Sequence, residues 1–81
     1  MPVTVRLFAR LREIAGTDEL TRPVETPATV ADVWSSLVAE WPALAPYAPS
    51  LSSAVNAQYA RMTSPVRDGD EVAFLPPVSG G

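Results

Sequence analysis

The chain has 81 residues, enough for one small folded domain with one hydrophobic core. It contains no cysteine, histidine or lysine, which excludes a disulfide framework, a thiolate or imidazole catalyst, a Schiff-base amine and a Cys/His zinc site. Nine carboxylates against six scattered arginines give a net charge of −3, and this acidic balance argues against nucleic acid as a partner.

The first third of the chain predicts two strands and a short helix. Apolar residues alternate with other residues over Val3–Phe8, the period-two pattern of a half-buried strand. A short helix is expected over Ala9–Ala15, with Gly16 as its stop. A second strand is predicted over Leu20–Val24. Because Pro23 has no amide proton to donate to a neighbour, this strand is expected at a sheet edge.

The strongest periodicity predicts a helix from about Val30 to Trp41. Thr29 is suited to cap its N-terminus, and Asp32 places a carboxylate near the positive helix end. Pro42 ends the helix. We interpret both tryptophans as core residues, because they belong to the apolar face. That face is formed by Val30, Val33, Trp34, Leu37, Val38 and Trp41.

The second half of the chain predicts further strands. Residues 42–52 hold three prolines and are expected to form an irregular connection. A short strand is predicted over Ser53–Asn56, followed by a turn near Ala57–Gln58. Asp68–Gly69 marks a tight turn before the last strand, Glu71–Leu75. The order of elements predicts an α+β roll, a mixed sheet of four to five strands packed on one main helix.

The densest acidic group is formed by Asp68, Asp70 and Glu71. Turn chemistry already accounts for the two aspartates, so we interpret the group as a solvated turn and predict no metal site. The longest apolar run, Val72–Val78, is too short to span a bilayer and contains two prolines. The first residues lack the features of a signal peptide, so a cytoplasmic protein without membrane association is expected.

The unusual feature of the sequence is its Gly80–Gly81 ending. Without side chains these residues fit a narrow channel and leave the terminal carboxylate open to attack. Pro76–Pro77 is expected to hold the preceding segment extended. We therefore divide the chain into a domain, residues 1–75, and a protruding tail, residues 76–81. The pattern suits a carboxylate delivered into another protein's active site, although a frayed terminus explains the glycines equally well.

A second indication of a partner comes from the strand faces. If the first and last strands are neighbours, Phe8 and Leu75 both point away from the helix at the root of the tail. They would then form an exposed apolar patch, a feature that marks partner surfaces.

The run from Asp68 to Gly81 resembles the ending of the small subunit of molybdopterin synthase. Leu7–Phe8–Ala9, Leu11–Arg12–Glu13 with Gly16, and Ala54–Val55–Asn56 are similar to that family at matching spacing. A Gly-Gly ending is shared by all ubiquitin-like proteins. The Asp-Gly-Asp-Glu-Val strand running into Pro-Pro-Val-Ser-Gly-Gly is much more specific, and the resemblance spans essentially the whole chain.

The resemblance implies a β-grasp, ubiquitin-like fold and the role of a sulfur carrier in molybdenum cofactor biosynthesis. An adenylyltransferase resembling ubiquitin-activating enzymes would use ATP to adenylate Gly81, and a sulfur donor protein would supply the sulfur of a terminal thiocarboxylate. The tail would enter the synthase large subunit and deliver sulfur to cyclic pyranopterin monophosphate, forming molybdopterin. The chain itself would be a non-catalytic subunit without a bound cofactor, and family precedent implies a heterotetramer.

The family's functional positions fall on particular residues of this sequence. Gly81 matches the bearer of the thiocarboxylate, and Arg12 falls where a polar partner contact is expected. Apolar partner contacts match Phe8, Tyr59 and Leu75, although Tyr59 replaces what is often an aliphatic residue. The tail residues expected to insert into the partner are Pro77, Val78, Ser79 and Gly80.

Three alternatives remain open from the sequence. The first is a sulfur carrier for thiamine synthesis, tRNA thiolation or cysteine synthesis, with the same chemistry at Gly81. The second is a protein modifier whose Gly81 forms isopeptide bonds with target lysines. The third is an interaction module with an inert tail. The Pro-Pro-Val-Ser stretch before the glycines favours the molybdopterin pathway.

Overall fold

The structure is a computed structural model that describes residues 1–77. Its elements are, in chain order, β1 (Pro2–Leu7), α1 (Ala9–Ala15), β2 (Glu19–Pro23), β3 (Ala28–Thr29), α2 (Val30–Glu40), a 3₁₀ helix (Pro42–Ser50), β4 (Ser52–Val55), β5 (Gln58–Ala60), β6 (Pro65–Val66) and β7 (Glu71–Leu75). Within the described residues, no helix has the length and apolar character needed to cross a membrane.

Five strands form one mixed sheet in the order β2–β1–β7–β4–β5. The first and last strands are parallel neighbours, with Leu7 opposite Phe74, whereas the other pairs in this sheet are antiparallel. A separate antiparallel pair joins β3 to β6. The strand β2 lies at one edge of the large sheet, which confirms the prediction drawn from Pro23.

The main helix begins where the sequence predicts. The Thr29 hydroxyl accepts a hydrogen bond from the Asp32 amide at 3.4 Å, and the Asp32 carboxylate accepts one from the Thr29 amide at 2.8 Å. This reciprocal pair satisfies backbone amides that the first helical turn leaves without partners. The helix ends at Glu40, and the amide of Trp41 still donates to the carbonyl of Leu37 at 2.7 Å.

The core lies between one face of the sheet and α2. The rings of Trp34 and Phe74 meet there with centroids 5.0 Å apart, and both side chains are buried. Trp41 is partly buried and lies 5.6 Å from the Arg22 guanidinium, which donates to Glu40 at 2.7 Å. The mixed sheet on one main helix is therefore confirmed, and it leaves the opposite face of the sheet uncovered by α2.

The prediction of an irregular connection over residues 42–52 is wrong. Residues Pro42–Ser50 form a 3₁₀ helix, and β4 begins at Ser52. Proline is compatible with this helix because its fixed φ lies within the 3₁₀ range. Leu44 is fully buried, so burial of this apolar side chain holds the segment against the core.

The remaining differences concern short elements. The turn after β4 is formed by Asn56 and Ala57, one residue earlier than predicted. The strands β3, β5 and β6 are not predicted at all. They are two or three residues long, so they carry too little alternation to be recognised. In contrast, α1 ends at Gly16 as expected, with φ +76° and an amide that donates to the Arg12 carbonyl at 2.8 Å.

Candidate functional site

The predicted reactive end lies outside the described residues. This applies to Gly81 and to the expected insertion residues Val78, Ser79 and Gly80. The description ends at Pro77, two residues after β7. The surfaces from which the tail departs are therefore the part of the site that the structure describes.

Phe8 and Leu75 stand together at the end of the two central strands. The strands β1 and β7 run parallel, with Leu7 opposite Phe74. Phe8, which follows β1, and Leu75, the last residue of β7, therefore lie at the same end of the sheet. Phe8 is 38% exposed, and both side chains line the same two grooves. The predicted apolar pair is thus found at the root of the tail, with Phe8 exposed but Leu75 half-buried, and we refer to this pair as the Phe8–Leu75 ridge.

On one side of the ridge, the uncovered face of the sheet forms a depression of about 320 Å³, here called the open-face groove. Small side chains form its floor. Ala54 lies opposite Ala73 on one neighbouring strand and opposite Tyr59 on the other. Tyr59 is 89% exposed and rises above this row of small residues. The groove is lined by Phe8, Ala54, Ala57, Tyr59, Glu71, Ala73 and Leu75.

On the other side of the ridge lies a second apolar depression of about 440 Å³, here called the tail-root groove. The 3₁₀ helix contributes Tyr47 to it, and α1 contributes Ala9 and Arg10. Pro76 and Pro77 line it as the chain leaves β7. Sequence reasoning missed Tyr47, since an irregular 42–52 segment gives no reason to bring it to the tail.

Charged side chains border the open face without forming strong pairs. Arg6 lies 3.6 Å from the Glu19 carboxylate and 3.9 Å from that of Glu71, and its guanidinium carbon is 5.7 Å from the centroid of the Phe8 ring. All three charged side chains are more than a third exposed, so solvent screens both ion pairs strongly. They add little to the stability of the fold, and Glu71 is the member of this group that lines the groove.

The turn after β4 is fixed to β7 through the side chain of Asn56. Its Oδ1 accepts from the Glu71 amide at 3.0 Å, and its Nδ2 donates to Asp70 Oδ1 at 3.0 Å. The second carboxylate oxygen of Asp70 accepts from the Arg67 amide at 2.8 Å. The hydrogen bond from Asn56, followed by that from the Arg67 amide, lowers the pKa of Asp70 below its usual value of 3.8. The acidic group thus includes a residue that ties two turns together.

The Asp70→Asn variant is expected to lose an acid-sensitive part of the stability. Because the pKa of Asp70 is lower in the folded than in the unfolded protein, its carboxylate stabilises the fold at pH values above its usual pKa of 3.8. This contribution is lost as the pH falls through the lowered pKa. Urea unfolding at about pH 7 and about pH 2.5 should show a larger drop in midpoint for the parent than for the variant. Asp68→Asn, at an exposed position of the same turn, should keep the pH dependence of the parent.

The structure brings three of the four predicted partner residues together. Phe8, Tyr59 and Leu75 all line the open-face groove. Arg12 is exposed on α1 and lines neither this groove nor the tail-root groove. A contact through Arg12 would therefore have to involve a separate part of a partner.

Comparison with known proteins shows the family to which this chain belongs. The sequence model of the ThiS family matches residues 5–81. The molybdopterin synthase sulfur carrier subunit of Escherichia coli (strain K12) is 40% identical over 82 aligned residues, covering 98% of this chain and 99% of that protein. The subunit of the same name from Chlamydomonas reinhardtii is 37% identical over 83 aligned residues, covering 100% of both.

A solved structure extends the similarity to the fold. The crystal structure of SAMP1, small archaeal modifier protein 1, from Haloferax volcanii has a TM-score of 0.86 to this chain. The two sequences are 32% identical, and the alignment covers 100% of each chain. The β-grasp fold implied by the resemblance of the sequence is therefore confirmed.

Proposed function

The chain belongs to the ThiS family, and we propose that it is the sulfur-carrying small subunit of molybdopterin synthase. The observation that carries this proposal is the full-length similarity to sulfur carrier subunits of that enzyme in a bacterium and an alga. The geometry supports it, because β7 runs into Pro76–Pro77 beside an exposed apolar ridge. The last residues thus follow directly from a surface suited to a partner.

The proposed chemistry takes place at the carboxylate of Gly81. A carboxylate is a poor electrophile, so an activating enzyme first joins it to the AMP part of ATP and releases pyrophosphate. Sulfur at the oxidation level of sulfide, supplied by a donor protein, then displaces AMP, which leaves a terminal thiocarboxylate. The thiocarboxylate sulfur is a strong nucleophile and attacks cyclic pyranopterin monophosphate in the large subunit, where it displaces an oxygen substituent. Hydrolysis of the resulting thioester leaves the sulfur on the pterin and returns Gly81 as a carboxylate. Two such transfers form the dithiolene of molybdopterin, and this chain supplies the carrier atom rather than catalytic side chains.

Docking is proposed to occur at the Phe8–Leu75 ridge and the open-face groove. Phe8, Tyr59 and Leu75 supply exposed apolar area beside the point where the tail departs. Burial of aromatic and aliphatic side chains at the centre of an interface provides most of its binding energy. With these residues held by the large subunit, residues Pro77 to Gly81 extend into its active site, and Arg12 adds a polar contact from α1.

The experiment that tests this function is mass spectrometry of the chain after incubation with ATP, an activating enzyme and a sulfur donor. We expect a mass increase equal to the replacement of one oxygen by sulfur, located at Gly81. C-terminal fragments must be analysed, because oxidation of Met1 or Met62 adds nearly the same mass. If an activating enzyme that is active on another carrier produced no change at Gly81, the sulfur-carrier function would be refuted.

A second candidate function is protein modification, and the close structural similarity to a small archaeal modifier protein favours it. In that case Gly81 would form isopeptide bonds with lysines of target proteins. Conjugates that survive both denaturant and thiol treatment would identify this activity. A carrier for another sulfur pathway would instead show the thiocarboxylate but bind a different acceptor, such as a thiazole synthase.

A further inference from the structure

Left-handed backbone conformations cluster at the proposed docking surface. Among residues 1–77, the non-glycine residues with positive φ are Ala9 at +51°, Asn56 at +51° and Ala57 at +68°. Ala9 lines the tail-root groove, Ala57 lines the open-face groove, and Asn56 precedes Ala57 in the same turn. Residues with side chains rarely adopt this conformation, and where they do the strain is often linked to function.

The two residues of the turn differ in what compensates for their conformation. Asparagine is among the residue types most often found in the left-handed conformation, and the side-chain amide of Asn56 forms hydrogen bonds with both Asp70 and Glu71. The methyl group of Ala57 forms no hydrogen bond, and the residue is exposed rather than part of the core. Folding alone would therefore be served better by glycine at position 57, which adopts positive φ without steric cost.

Ala57 is nevertheless one of the residues that line the proposed docking surface. It lines the open-face groove beside Ala54 and Ala73, where Phe8 and Tyr59 form the higher walls. We propose that Ala57 is a specificity-determining contact of the docking surface, an inference that rests on the proposed function. Its methyl group packs against an aliphatic side chain of the synthase large subunit that occupies the open-face groove.

Asn56 acts as the positioning residue for this contact. Its main-chain amide donates to the Glu71 carbonyl at 2.8 Å, and its side-chain Oδ1 accepts from the Glu71 amide at 3.0 Å. The side-chain carbonyl thus takes the place that the main-chain carbonyl would hold in a continued antiparallel pair. The chain turns away from β7 at this residue, and Ala57, the next residue of the turn, lines the same groove as Glu71.

The chemistry of the groove specifies its occupant. Among the described residues that line it, Glu71 is the one charged side chain, and the others are alanine, leucine and aromatic residues. The groove is continuous with the root of the tail, because Phe8 and Leu75 also line the tail-root groove. A partner that receives the tail therefore covers this groove as well, and an aliphatic side chain suits its mainly apolar lining because it brings no polar atom that would need a hydrogen-bond partner there.

The test compares Ala57→Gly with Ala39→Gly, measuring thermal unfolding and affinity for the large subunit by isothermal titration calorimetry. Glycine at position 57 removes the methyl group and keeps the left-handed turn, so the melting temperature should be unchanged or raised. The affinity should fall about threefold to fivefold, the effect expected of one buried methyl group. Ala39 is exposed within α2 and lies outside both grooves, so its replacement should lower the melting temperature and leave the affinity unchanged.

A second variant, Ala57→Asn, tests the same contact without relying on a small effect. Asparagine tolerates positive φ but introduces a polar amide into the groove, so we expect affinity to fall about tenfold with the fold retained. Parent-like affinity in both position-57 variants would overturn the proposal, as would equal losses in Ala57→Gly and Ala39→Gly. Failure of the parent chain itself to bind the large subunit would instead refute the proposed function, and this inference with it.

Discussion

Deletion of Gly81 is expected to abolish molybdopterin formation by the reconstituted synthase while the domain stays folded. Removing one residue shortens an extended chain by about 3.3–3.6 Å. Reacting atoms must approach to about 3–3.5 Å, so a carboxylate displaced by one residue lies out of reach of both the adenylating and the sulfur-accepting centre. The measurement is the yield of molybdopterin from purified large subunit, activated small subunit and cyclic pyranopterin monophosphate.

Two observations separate this effect from general damage. Residues within the described part of the chain, 1–77, form the ridge and line both grooves, so the deletion variant should keep the melting temperature and the large-subunit affinity of the parent. The matched control, Gly81→Ala, preserves the length of the tail and should retain part of the activity. Full activity in the deletion variant, or after truncation at Val78, would instead support an interaction module with an inert tail.

Replacement of Tyr59 by alanine is expected to weaken binding to the large subunit about tenfold or more. Tyr59 is 89% exposed in the free chain, so its removal opens no cavity and should leave the melting temperature within the error of the measurement. Tyrosine is also among the residues that most often dominate binding energy when an interface covers them. Calorimetric titration of the large subunit provides the affinity, and thermal unfolding provides the stability.

The control for this prediction is the adjacent residue on the same strand. Gln58 is exposed like Tyr59 but does not line the open-face groove, because successive side chains of a strand point to opposite faces. Gln58→Ala should therefore bind as the parent does. Tyr59→Leu should retain most of the affinity, since an aliphatic side chain also covers the alanine floor. Equal affinities for Tyr59→Ala and the parent would exclude the groove from the interface.

Local patterns predicted the elements whose signals extend over several residues. The alternation in Val3–Phe8 and the capped helix beginning at Val30 both depend on neighbours in the chain, and the structure confirms both. The same holds for Gly16, whose left-handed conformation ends α1. The 3₁₀ helix over Pro42–Ser50 could not be predicted in this way, because its position depends on burial of Leu44 against the rest of the fold.

Some residues of the candidate site could likewise be identified from the sequence, and others only from the structure. Phe8, Tyr59 and Leu75 could be identified from the sequence, because large apolar residues at the positions of family contacts carry a signal. The residues that shape the grooves around them carry none: Ala54, Ala57, Ala73 and Tyr47. An alanine forms the floor of a groove only where larger side chains flank it, and the sequence does not show which side chains flank it in the fold.

The sequence by itself determined four of the strands and the main helix, the family, and the glycine ending at which the proposed chemistry takes place. Each of these depends on residues close together in the chain or on a continuous motif. Only the tertiary structure decided that β1 lies beside β7 and that β4 and β5 extend the sheet. The pairings of β1 and of β4 with β7 join residues far apart in the chain, and no local periodicity encodes them. They bring Phe8 next to Leu75 at one end of β7 and place the turn that holds Ala57 at its other end, so the docking surface is a product of strand order.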